Sequence, residues 1–219
     1  MFANDLISNE TPQVRLTDLC GTVLDWMDEY DVLHLPVFEG NNFQGLISQS
    51  CLQDHPEEMS LDKMNNALLD IHVTLEAHMF DVVKLMNAAS LSLVPVFKNE
   101  DEFLGVIRYV DIIKSLGASA AAKQPGALLE LQMTNADYSM SDIARIIEGN
   151  DAKILYSNVV RLEETKDIKV YLKLNTLDVS GVLQTFSRYD YKVKSSVQDT
   201  EYEEDLRDRF DSLMNYLNM

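Results

Sequence analysis

His34-Leu35-Pro36-Val37-Phe38 comes back as Leu93-Val94-Pro95-Val96-Phe97, and the second proline stands 59 residues after the first. Each copy runs through a short polar turn into another apolar stretch, Phe43-Gln44-Gly45-Leu46-Ile47 and then Phe103-Leu104-Gly105-Val106-Ile107. The register also holds upstream, where Val14, Leu16, Val23, Leu24 and Met27 meet Val73, Leu75, Val82, Val83 and Met86. Glu102 is an extra residue in the second turn, after which the offset is 60. Self-similarity at a fixed period marks an internally duplicated fold, in which one copy buries its apolar face against the next.

In the first copy the pattern predicts a strand over 12–16, with Thr17 capping a helix over 19–30. Leu19, Val23, Trp26, Met27 and Tyr30 recur at helical spacing and define its buried face. A strand over 32–38, the turn Glu39-Gly40-Asn41-Asn42, a strand over 43–47 and a helix from Gln49 complete the copy. The second copy repeats these parts: strand 71–75, helix 76–88 (Met79, Val82, Val83, Met86), strand 92–97, turn 98–102, strand 103–107 and a helix from Val110. Residues 59–69 read as a connecting helix.

Small residues ended by Pro125-Gly126 make residues 117–126 a poor core and a good hinge. Beyond them Leu129, Leu131 and Met133 alternate with polar neighbours, as do Ile168, Val170, Leu172 and Leu174. With helices over 139–148 and 179–189 and strands over 153–162 and 191–197, the order is βαββαβ, the ferredoxin-like arrangement. Thr200-Glu201-Tyr202-Glu203 is a capping box opening a last amphipathic helix, with Tyr202, Leu206, Phe210, Leu213 and Leu217 on one stripe. The expected fold class is α+β. Its domains are a duplicated pair over 1–116 (repeat one 1–58, repeat two 59–116), a linker over 117–126, and a second domain with the terminal helix over 127–219.

The chain has 219 residues, 18 basic against 36 acidic, and a formal net charge of −18. Nucleic-acid binding rests on cations neutralising phosphate, so that class is excluded, and an anionic membrane surface with it. No stretch reaches the roughly 20 apolar residues of a membrane span. Met1-Phe2-Ala3-Asn4-Asp5 lacks a basic n-region and an apolar h-region, so the expected compartment is the cytoplasm, with Cys20 and Cys51 as reduced thiols.

The twice-repeated helix, Leu/Val-Pro-Val strand, turn and Gly-aliphatic-aliphatic strand resembles a tandem of cystathionine-β-synthase-type (CBS) domains. Residues 127–197 resemble an ACT-type small-molecule-binding domain in topology, and the two in this order resemble the acetoin utilisation protein B family. The resemblance implies a non-catalytic regulatory protein and a disc-like module with two clefts that take AMP, ATP or S-adenosylmethionine. It also implies a Thr/Ser-x-x-Asp contact after each Gly-aliphatic-aliphatic strand, hydroxyl on phosphate and carboxylate on ribose. Here that motif is divided. Repeat one has Ser48 and Cys51, and repeat two has Arg108 and Asp111, where a guanidinium serves phosphate as a charge-assisted donor. The ligand-lining set so implied is Arg15, His34 and Ser48 in repeat one and Thr74, Leu93, Arg108 and Asp111 in repeat two. The ACT-type ligand loop falls at Thr134-Asn135-Ala136-Asp137-Tyr138-Ser139-Met140, without the family's glycine.

Structural roles compete for the same residues. Ser48 also reads as a helix cap, Asp111 as a carboxylate near a helix N-terminal dipole, and His34 as a satisfied strand histidine. His72, Glu76 and His78 do not have a metal-ligand spacing. Met27, Met64, Met79 and Met86 read as core filler. No nucleophile elbow, phosphate loop, dinucleotide fingerprint or zinc pattern occurs, so neither an enzyme nor a metal site is expected. Two readings follow: an adenosine-ligand sensor acting as a homodimer, or a ligand-free dimerisation scaffold for an unidentified partner protein.

Overall fold

The computed structural model describes residues 1–99, 102–163, 165 and 167–195. The expected terminal helix beginning at Thr200, and the end of the strand expected over 191–197, lie outside the described residues. The chain divides into two compact units, Met1–Gly117 and Ala118–Met219.

The first unit contains the duplication. Repeat one comprises β1 (Val14–Arg15), α1 (Cys20–Glu29), β2 (His34–Glu39), β3 (Asn42–Ser48) and α2 (Gln49–Gln53). Repeat two comprises β3's successor β4 (Val73–Thr74), α3 (Met79–Ala88), β5 (Leu93–Phe97), β6 (Phe103–Arg108) and α4 (Tyr109–Gly117). Each repeat makes a three-stranded sheet, β1-β2-β3 or β4-β5-β6, with the first pair parallel and the second antiparallel. Even the irregularity repeats: the register shifts after Val37 in one hairpin and after Val96 in the other. Pro36 and Pro95 sit one residue beyond the reach of β1 and β4, so their missing N–H groups cost no ladder bond on that side.

Both Pro-Val strands share one apolar core. Leu35, Val37, Leu46 and Ile47 join Leu93, Val94, Val96, Val106 and Ile107, together with Cys20, Val23, Met27, Val82 and Met86 from the helices. Met27, Met64, Met79 and Met86 are all buried. Val83, expected on the buried face of its helix, is exposed instead, because Met79, Val82 and Met86 already fill that face.

The two repeats are interlaced by their leading segments. Residues 57–62 serve repeat one: Cys20 N–H donates to Met59 O (2.8 Å), Gly21 N–H to Glu57 O (3.0 Å) and Leu61 N–H to Asp18 O (3.1 Å). The first residues of the chain serve repeat two in the same way, Met79 N–H donating to Met1 O (3.1 Å) and Ala3 N–H to Ala77 O (2.8 Å). Leu69 then bridges Leu46, and Ser8 bridges Val106. At these crossings stand Gly45 (φ +138°) and Gly105 (φ +147°), where a Cβ would run into Leu68 and Leu69 or into Ile7, Ser8 and Asn9.

This interlacing corrects three expectations. Thr17 caps nothing: α1 begins at Cys20, its first N–H groups are met by carbonyls from residues 57–59, and Asp18 accepts from Arg15 N–H (2.7 Å) instead. The helix expected from residue 76 begins at Met79, where the His78 ring accepts from Phe80 N–H (3.3 Å). The connecting helix over 59–69 is a 3₁₀ stretch, Leu61–Ala67, broken at Met64 and followed by extended backbone that pairs with β3.

The second unit is α5 (Ala120–Lys123), β7 (Leu128–Thr134), α6 (Met140–Glu148), β8 (Ile154–Arg161), β9 (Asp167–Leu174), α7 (Ser180–Arg188) and β10 (Lys192–Ser195). Its antiparallel sheet has the order β10-β7-β9-β8, the ferredoxin-like topology. The alternating residues Leu129, Leu131, Ile168, Val170, Leu172 and Leu174 pack with Ile143, Ile147, Val182 and Phe186. The segment expected to be a bare linker carries α5, because Ser119 caps three alanines and a lysine, all good helix formers.

Candidate functional site

Strand β6 ends on Arg108 and α4 begins at once, so the side chains of Arg108 and Asp111 meet at a strand–helix junction. Asp111 acts there as a cap, its Oδ2 accepting Arg108 N–H at 3.1 Å. The guanidinium folds back onto the same carboxylate, Nε to Oδ2 at 2.9 Å and Nη2 to Oδ1 at 2.8 Å, a bidentate pairing. Nη2 also donates to Glu10 Oε2 at 2.7 Å. The Arg108 side chain is 10% exposed and that of Asp111 14%, whereas Glu10 is 69% exposed. Burial pushes the Asp111 carboxyl up, but the hydrogen bonds and charge of Arg108 outweigh it and hold the group below the usual carboxylate range. The hydrogen bond that Arg108 donates to Asp111 likewise raises the guanidinium pKa against its burial. Both groups are ionised at neutral pH.

The same junction in repeat one is chemically different. Ser48 Oγ accepts from Cys51 N–H at 3.2 Å, capping α2, and lies 3.1 Å from Ser50 Oγ. Burial, with Asp54 adding to it, pushes the Cys51 thiol up, so it carries no charge to replace the missing carboxylate. Arg108 and Asp111 are thus brought together as a charged pair, and Ser48 is engaged by its own helix.

The other candidates fall into equivalent pairs. His34 is the cross-strand partner of Ser48, and Leu93 that of Arg108. Leu93 is fully buried and offers a wall. Arg15 and Thr74 pair with Phe38 and Phe97, four residues along β2 and β5 from His34 and Leu93, a rise of about 13 Å. Arg15 Nη1 donates to Gly40 O at 3.0 Å, at the hairpin turn. The registers therefore leave Arg15 and Thr74 at the far end of their sheets from Ser48 and Arg108.

His34 is buried, and its Nδ1 accepts from Ser92 N–H at 3.3 Å and lies 3.2 Å from Ser92 Oγ. An accepting Nδ1 puts the ring proton on Nε2. Burial lowers the pKa of the ring, so it stays neutral. Ser92 Oγ also accepts Leu33 N–H at 2.9 Å, tying the two repeats together. Ser92→Ala leaves that part-buried donor without its acceptor, and the unfolding free energy in urea is expected to fall by about 1–2 kcal/mol.

Glu10 was not legible as a partner of Arg108. They lie 98 residues apart, and the Ser8–Val106 bridge carries the segment across to β6. His72 and His78 serve other ends: His72 stacks edge-on against Phe97 (5.2 Å between centroids), while His78 caps α3. Among the described residues no group of three or more His, Cys, Asp and Glu is placed to hold a metal ion.

In the second unit the expected ligand loop borders a cleft of about 430 Å³, lined by Gln132, Thr134, Asp137, Asp190, Tyr191 and Lys192 among others. Thr134 Oγ1 donates to Asp137 Oδ2 at 2.6 Å and accepts Asp137 N–H at 3.3 Å, so side chains close the turn that lacks a glycine. Among the described residues no helix is long and apolar enough to cross a membrane.

Residues 64–118 match the family model of the CBS domain. Similar solved structures include a CBS domain pair/ACT domain protein from Thermotoga maritima, 19% identical, covering 53% of this chain and 96% of its own (TM-score 0.47). A protein from Vibrio cholerae assigned to acetoin utilization (AcuB) is 18% identical over 53% of this chain and 90% of its own (TM-score 0.46). The CBS domains of a transcriptional regulator from Streptococcus pneumoniae are 20% identical over 52% and 98% (TM-score 0.46). The span of the family match takes in α3, β5, β6 and α4, the elements that build the Arg108–Asp111 junction. The sequence match to the CBS domain thus lies on repeat two, over residues 64–118.

Proposed function

We propose that the chain is a non-catalytic regulatory protein whose second repeat takes an adenosine-containing ligand, AMP, ATP or S-adenosylmethionine. The observation that carries this reading is the Arg108–Asp111 pair, a buried cation and a partly buried anion at the position where CBS clefts meet phosphate and ribose. Arg108 faces the phosphate, and Asp111, kept ionised, accepts from the ribose hydroxyls. Repeat one has no such pair and serves as structural counterpart. A ligand bound more tightly by one arrangement of the repeats shifts the population toward it. The ferredoxin-like unit, ACT-like in this reading, passes the change on within a cytoplasmic homodimer.

A second reading has its own support: Ser48 is engaged as a cap, Cys51 replaces the ribose acceptor, and the charges of Arg108 and Asp111 satisfy each other. In that reading the clefts are disused and the protein is a dimerisation scaffold for a partner protein.

A thermal-shift panel of AMP, ATP, S-adenosylmethionine and inorganic phosphate on the full chain separates the two. A ligand at 100 times its Kd adds about 2.7 kcal/mol, which moves the melting temperature by roughly 5–10 °C for a chain of this size. Asp111→Ala is expected to abolish the shift and Cys51→Ala to leave it intact. A flat panel leaves the scaffold.

A further inference from the structure

We infer that Glu10 is a tethered stand-in for the ligand's phosphate, and that an anionic ligand enters repeat two by displacing it from Arg108. The inference rests on the ligand-binding reading above and names the residue that gates it.

The contact is lopsided. Arg108 is held from behind by Asp111 through Nε and Nη2, and its side chain is nine-tenths buried. The group that meets it from outside, Glu10, is mostly in solvent and touches it through a single oxygen. An exposed carboxylate gains little from one such contact, because water competes for it. A phosphate carries more charge and more acceptor oxygens, and pairs with a guanidinium bidentately. The exchange therefore favours the ligand while leaving the buried cation neutralised in both states.

The backbone allows the exchange. Ser8 is pinned to β6 by two hydrogen bonds with Val106 (2.8 and 3.0 Å), and Glu10 stands two residues beyond that pin. Its side chain can swing out without unpairing the segment. Repeat one supplies an internal control. The equivalent bridge there is Leu69 to Leu46, so the residue two beyond the pin is Ile71, which packs against the core. Where the junction has Ser48 instead of arginine, the position equivalent to Glu10 is apolar, and the nearby Asp70 lies 3.7 Å from His72. The carboxylate and the guanidinium stand together at these two positions in repeat two, and neither stands at the equivalent positions of repeat one.

The test is isothermal titration of the full chain and its Glu10→Gln variant with AMP, ATP, inorganic phosphate and S-adenosylmethionine at one ionic strength. Glutamine keeps the shape and removes the competing charge. The affinity for AMP and ATP is expected to rise about two- to fivefold, the scale of one exposed ion pair, with no comparable gain for S-adenosylmethionine, which carries no phosphate. Equal AMP and ATP affinities in the two proteins overturn the gate while leaving the ligand-binding reading standing. A gain of the same size for S-adenosylmethionine also overturns it, since phosphate would not be what Glu10 imitates. Absence of binding in both proteins overturns the gate and the reading together. Urea midpoints of both proteins establish that the variant is folded.

Discussion

Gly105→Val is expected to lower the unfolding free energy of the first unit by about 3–5 kcal/mol, the sum of backbone strain and overpacking. At φ +147° an L side chain is strained even in open space, and here the space is filled. A Cβ would come within 2.7 Å of Ile7 Cγ2 and 2.8 Å of the Ser8 carbonyl, and the latter is backbone already bonded to Val106. Relief requires the leading segment to lift from β6, which undoes the contacts of residues 1–9 with repeat two. The control is Gly40→Ala, at φ +61° with nothing within 4 Å of the added carbon, where only the left-handed conformation costs, about 1–2 kcal/mol. Urea unfolding of both variants measures the difference. Equal losses would mean that the crossing segment does not bear on Gly105.

The second large effect concerns the Arg108–Asp111 pair and is asymmetric. Arg108→Met leaves the partly buried Asp111 carboxylate without its cation and is expected to cost about 2–4 kcal/mol. Asp111→Ala costs less, about 1–2 kcal/mol, because Glu10 still faces the guanidinium. The double variant Arg108→Met with Asp111→Leu removes both charges and is expected to recover most of the loss. The sign with pH follows from the lowered Asp111 pKa. A carboxylate whose pKa is lowered by folding stabilises the fold above its unfolded value and loses that contribution as pH falls through the folded one. The gap between wild type and Arg108→Met should therefore narrow below about pH 4. A double variant no more stable than Arg108→Met alone would overturn this account of the pair.

The comparison of residues 34–38 with 93–97 was enough to assign the duplication, the hairpins and most of the first core. Apolar periods of 2 and 3.6 are local properties, so Val23, Met27, Val82 and Met86 announce a buried helix face without any knowledge of what covers it. The alternation through Ile168, Val170, Leu172 and Leu174 announces a one-sided strand in the same way. The paired candidates Arg108 and Asp111 were also legible, since three residues at a strand–helix junction bring two side chains onto one turn. Helix starts were not. Thr17 is a fair cap by residue type, but carbonyls from residues 57–59 meet the first N–H groups of α1, and nothing near Thr17 announces them.

The sequence by itself therefore determined the repeat, its element order, the ferredoxin-like second unit and the location of the one charged junction, because each is encoded within a few residues of chain. Only the tertiary structure decided that the two leading segments change places, that Gly45 and Gly105 lie beneath those crossings, that Ser92 anchors His34, and that Glu10 sits on Arg108. These contacts join residues about 20 to 100 positions apart through short, aperiodic segments. No local pattern records them, and they form only when the burial of one shared core brings the strands into register.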